Sequence, residues 1–135
     1  MTEQDLNRVR DLHKRVRDLE NLLATLRKRA GDIVPAREGL PQSTDIHSKV
    51  ESLALKIVEK TIELESLHRQ ILEATATLTE SICRHISEPN QRAVMLLRYV
   101  HCMRFRDIAF QLGKSDARIY QLHHDALENY SWAIA

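Results

Sequence analysis

A chain of 135 residues has room for one small domain and an extension, and 43% hydrophobic with 29% charged residues is not the composition of a disordered chain. Three glycines, three prolines and 4% aromatic residues supply little material for turns or strands, so the all-α class is expected ahead of all-β and α/β folds. Twenty basic and nineteen acidic residues all but cancel at a net charge of +1, and no apolar run is long enough to span a bilayer.

The first helix is expected over residues 3–30. Thr2-Glu3-Gln4-Asp5 offers its cap, and Leu6, Val9, Leu12, Val16, Leu19, Leu23 and Leu26 recur at steps of three and four. Such a stripe needs a partner helix. The intervening Arg8, Arg10, Lys14, Arg15 and Arg17 alternate with Asp11, Asp18 and Glu20 and read as a solvated face. Arg27-Lys28-Arg29 either complements the helix C-terminus or touches nucleic acid.

Gly31, Pro35, Gly39 and Pro41 punctuate a loop over 31–45, and Pro41-Gln42-Ser43-Thr44 reads as the approach to a capped helix. Its composition does not decide whether it moves or packs. A second helix is expected over 46–86. Ile46, Val50, Leu53, Ile57, Leu64, Leu67, Ile71, Ala74 and Leu78 form a heptad-like seam, broadened by Val58, Ile62 and Ile82. Lys60 interrupts the seam as a register marker or a snorkelling side chain. About forty residues make a rod of roughly 60 Å, which the shorter first helix does not cover alone. Residues 1–86 are therefore expected to form a helical hairpin or coiled-coil rod that self-associates, most simply as a homodimer.

The C-terminal unit is expected over 87–135. Glu88-Pro89-Asn90 ends one helix and starts the next, with proline in its first turn. The strongly apolar stretch from Gln91 to Val100 follows. Over Phe105–Leu122, FRDIAFQLGKSDARIYQL, Ile108 and Leu112 lie one turn apart and Ile119 and Leu122 three residues apart, with the small Ala109 where two helices touch. Gly113 falls where a left-handed residue ends a helix, and Ser115 can cap the next. This is the pattern of a helix-turn-helix, which an ordinary αα-hairpin shares in part. Leu127, Tyr130 and Trp132 are expected to pack back on this unit or across a dimer.

The segment EPNQRAVMLLRYVHCMRFRDIAFQLGKSDARIYQLHHDAL resembles the C-terminal, promoter-reading domain of bacterial sigma factors, region 4. With the long helices before it, the chain is similar to small sigma-like transcriptional regulators of phages and prophages, the late-gene activator type. The resemblance implies a three-helix unit that binds double-stranded DNA, a contact to RNA polymerase and no enzymatic activity. With the helix over 116–130 laid in a major groove, Ala117, Arg118 and Gln121 are expected at base edges. Arg92, Arg104, Arg106, Lys114, Ser115 and His124 are expected at phosphates. Lys114 stands where sigma factors usually place a small apolar residue, and Asp116-Ala117 replaces a basic opening of the recognition helix. The alternative is a helical adaptor docking on RNA polymerase or on phage packaging machinery without binding DNA.

No Gly-rich phosphate loop, nucleophile elbow or carboxylate pair is present, so neither catalytic residues nor a cofactor is expected. Cys83-x-His85, His101-Cys102 and His123-His124 lack paired ligand spacing, so no metal site is expected either. Cys83 and Cys102 read as small core residues, and His123 and His124 as helix-surface or phosphate-near groups. Two cysteines in apolar helical contexts, with no signal peptide, suit a reduced cytoplasmic protein. From Glu88 onward six basic residues face five acidic ones, so a single unit is expected to bind DNA weakly.

Overall fold

A computed structural model describes residues 3–33 and 44–134. It is all-α, with no strand among those residues: α1 (Glu3–Ile33), α2 (Thr44–His85), α3 (Pro89–Met95), α4 (Phe105–Leu112) and α5 (Asp116–Ile134). Leu96–Val100 form a π-helical turn that continues α3. Of the expected loop, 34–43 lies outside the described residues, as do Thr2 and the Trp132 side chain. The α1 helix runs through Gly31 to Ile33, past its expected end at residue 30. One glycine costs a helix only about 1 kcal/mol relative to alanine, too little to end a stripe this regular.

By contacts the chain divides into two compact units, 14–70 and the combination of 1–13 with 71–135. In the first, Val16, Leu19, Leu23 and Leu26 of α1 and Leu67 of α2 are buried, with Leu53, Ile57 and Leu64 half-buried. Arg29 and Asp32 line one hollow with Lys49, Ser52 and Leu53, so the end of α1 lies beside the start of α2 and the helices run antiparallel. Lys60 is half-buried on this seam, and its ammonium snorkels out to Glu63 at 3.3 Å. Val58 and Ile62 do not widen the seam: they stand 55% and 59% exposed. At about 100° per residue, each has rotated past the buried edge that Ile57 and Leu64 occupy.

In the second unit, Leu6 and Val9 of α1 share a core with Leu78 and Ile82 of α2, Ile86 just past its end, Met95, Tyr99, Ala126 and Tyr130. The Tyr130 hydroxyl meets Ser81 Oγ at 2.7 Å inside this core, and the His85 ring stands edge-on to Tyr130 at 5.9 Å. Asn129 Nδ2 donates to Gln91 Oε1 at 2.7 Å, tying α5 to α3. The described helices include none long and apolar enough to cross a membrane.

Candidate nucleic-acid interface

The local sequence builds a three-helix platform in sequence order. Glu88 caps α3: its carboxylate accepts from the amides of Asn90 at 3.1 Å and Gln91 at 2.7 Å, while Pro89 occupies the first turn, where no amide hydrogen is missed. After Met95 the helix widens. The His101 amide reaches five residues back to the Leu96 carbonyl at 3.1 Å, and the Met103 amide donates to Leu97 at 3.0 Å. Cys102 then takes a left-handed φ of 57°, a conformation that costs a non-glycine residue about 1–2 kcal/mol. Arg98 Nη1, donating to the Met103 carbonyl at 3.0 Å, helps hold this bend.

The α4 helix ends on Gly113, at φ 65° and ψ 36°. The Gly113 amide donates to Phe110 at 3.3 Å and the Lys114 amide to Ala109 at 3.0 Å, which together satisfy the last carbonyls in a Schellman arrangement. Ser115 Oγ accepts from the Arg118 amide at 3.2 Å and starts α5. Between the helices Val94, Ile108, Ala109, Ile119 and Leu122 are buried together, flanked by Leu97, Met103, Phe105 and Leu112. Ala109, 4% exposed, is small enough for α4 and α5 to approach closely.

With Ile119, Leu122 and Ala126 turned inward, Ala117, Arg118 and Gln121 stand exposed on one face of the first turns of α5. Ser115 is exposed and Lys114 half-buried at the approach to that face. Arg106 is exposed on α4; Arg104, just before it, is exposed and paired with Asp107 at 3.0 Å. His124 is exposed one turn past Gln121, with Nε2 3.3 Å from Glu128. Arg92 is employed elsewhere: its guanidinium donates to the carbonyls of Ile86 at 2.9 Å and Cys83 at 3.3 Å, closing the end of α2.

Two readings of the histidines and cysteines are corrected. His123 is not on the surface but half-buried, with Nε2 2.7 Å from the Tyr99 hydroxyl and its ring stacked on Tyr99 at 5.7 Å. Phe105 meets it edge-on at 4.9 Å and carries the Arg98 guanidinium 4.2 Å over its own face. Burial, and then the nearby Arg98 charge, push the His123 pKa below the usual histidine value. Its spacing, four residues after Ile119 and three before Ala126, placed it on the inner stripe. Cys83 is exposed rather than a core residue, and Cys102 is half-buried, its thiol pKa raised chiefly by burial.

Sequence reasoning also missed two exposed aromatic rings, Phe110 at 91% and Tyr120 at 55%. Phe110 lies two residues from both Ile108 and Leu112, off their shared face, so helical period alone turns it outward. Tyr120 packs one side against Phe105 at 4.9 Å. Among the described residues, no three His, Cys, Asp or Glu side chains gather as a metal would require.

Residues 88–129, the whole platform except the end of α5, match the model of the family sigma-70, region 4. Domains of that family are non-enzymatic helix-turn-helix domains that bind DNA and RNA polymerase. No curated protein and no solved structure matches the chain.

Proposed function

We propose that the chain is a sequence-specific DNA-binding transcriptional regulator of phage or prophage origin. In this reading α5 lies in the major groove and RNA polymerase is a second contact. The observation that carries it is the exposed face of Ala117, Arg118 and Gln121 just beyond the Gly113 turn, inside the segment that matches sigma-70 region 4. Arg118 presents a planar fork to a guanine, Gln121 a donor and acceptor to an adenine, and Ala117 a methyl to a thymine. Arg104, Arg106, Lys114, Ser115 and His124 surround that face as phosphate contacts, while Arg92 serves the reading head by fixing α3 to the end of α2. The phage attribution rests on the layout of two long helices before the reading head.

The net charge of +1 from Glu88 onward makes the affinity of one isolated head for duplex DNA low, so the contact to polymerase adds what the phosphates do not. Selection from a randomised duplex pool followed by footprinting tests the proposal. A defined protected site that fades when Arg118 or Gln121 becomes alanine supports it.

The second reading, an adaptor docked on RNA polymerase or on packaging machinery without DNA contact, is favoured by Phe110. A phenylalanine ring 91% in water on the platform surface suits a protein partner better than a phosphate backbone. No salt-sensitive binding to any duplex, with retention on RNA polymerase that Phe110→Ala abolishes, decides for this reading.

A further inference from the structure

The unit formed by residues 14–70 carries a second apolar stripe that its own hairpin leaves uncovered. Leu55, Val58 and Ile62 of α2 are 65%, 55% and 59% exposed. Steps of three and four put them on one face, turned away from the seam that buries Leu67. Single exposed apolar residues are ordinary, but three in register along a helix are the pattern of a packing ridge. The same face continues to Glu51 on one side and to Glu65 and Arg69 on the other, all exposed.

We infer that this ridge pairs with the same ridge of a second copy of the chain, antiparallel, with Glu51 of each copy against Arg69 of the other. The charges select occupant and direction. In a two-fold pairing centred at the level of residue 60, Val58 falls opposite Ile62 of the second copy and Leu55 packs along the stem of its Glu65. Glu51 and Arg69 then meet at both ends, two opposite-charge contacts created by one symmetry axis. Parallel pairing sets Glu51, Glu65 and Arg69 each against its own counterpart, three like-charge meetings along one ridge. The inference stands on the hairpin and is independent of what the C-terminal unit binds.

The size of the ridge sets the strength of the pairing. From Glu51 to Arg69 it runs about 27 Å at the helical rise. One helix face of that length falls short of the roughly 800 Å² per partner found in stable complexes. Pairing is therefore weak and concentration-dependent, expected between micromolar and millimolar concentrations.

Sedimentation equilibrium of the full chain over a concentration series through that range is the test. The mass is expected to rise from 15.7 kDa towards twice that value as concentration increases. Ile62→Lys, at a site exposed enough to leave the hairpin folded by circular dichroism, is expected to hold the monomer mass throughout. Glu51→Lys is expected to weaken pairing about tenfold, and Glu51→Lys with Arg69→Glu to restore it, because the swapped charges meet again. A wild-type chain that stays monomeric overturns the inference and gives the ridge to another partner. Dimerisation unchanged by Ile62→Lys overturns it too, since the contact then lies elsewhere. An affinity unmoved by Glu51→Lys rules out the antiparallel register.

Discussion

Replacing Gly113 with alanine isolates the backbone geometry on which the turn between α4 and α5 depends. At φ 65° the residue occupies the left-handed region, where a Cβ costs about 1–2 kcal/mol. A Cβ built there meets no atom within 4 Å, so no steric clash adds to that strain. Alanine also restricts the unfolded chain, which returns about 0.4–1 kcal/mol. The net expectation is a loss of about 1 kcal/mol, equivalent to a fall of about 3–4 °C in the melting temperature of a chain of 135 residues. Gly113→Asn is expected to lose less, since asparagine visits the left-handed region readily, and Gly113→Val more. Urea and thermal denaturation of the full-length variants provide the measurement. Equal stabilities for glycine, alanine and valine would refute the reasoning, because a turn indifferent to Cβ is not left-handed.

Three further outcomes are expected. Arg106→Ala should weaken binding to all duplexes alike and reduce the salt slope by about one, whereas Arg118→Ala should cost about 1–3 kcal/mol on the selected duplex alone; titrations at several salt concentrations separate the two. Glu88→Ala should cost about 1 kcal/mol by freeing the Asn90 and Gln91 amides, with Glu88→Asp retaining most of the cap, as read by urea denaturation. His123 has a folded pKa below its unfolded value, so its contribution is present above pH 6.5 and is lost as pH falls through the folded pKa. Acidification from neutral pH should therefore destabilise the wild type more than His123→Phe, and parallel stability profiles for the two proteins would contradict this.

Much of the platform was legible because period and turn chemistry agree there. Ile108, Ala109, Ile119 and Leu122 announced the buried face, Gly113 the turn and Ser115 the cap. Once those are fixed, the outward placement of Ala117, Arg118 and Gln121 follows from 3.6 residues per turn. What the sequence concealed depends on contacts and backbone angles that helical period does not specify. The spacing of Arg92 carries no sign that its guanidinium meets the carbonyls of Cys83 and Ile86. His123 carries an inner-face spacing, but only Tyr99, 24 residues away, gives its ring nitrogen a reason to be inside. Cys102 bears no mark of a left-handed backbone, since neither glycine nor asparagine occupies the bend. On α2, assigning Val58 and Ile62 to the buried seam counted hydrophobicity without the angle at which each side chain leaves the helix.

Leu6 and Tyr130 belong to one core although more than a hundred residues of chain separate them. During synthesis the first turns of α1 leave the ribosome long before the helices that shelter them exist. At about 5–20 residues per second, Leu6 and Val9 wait on the order of ten seconds for Ala126 and Tyr130. This core is thus completed when a later-made segment closes over an earlier-made one, a long-range loop closure that leaves the apolar stripe of Leu6 and Val9 uncovered in the interval.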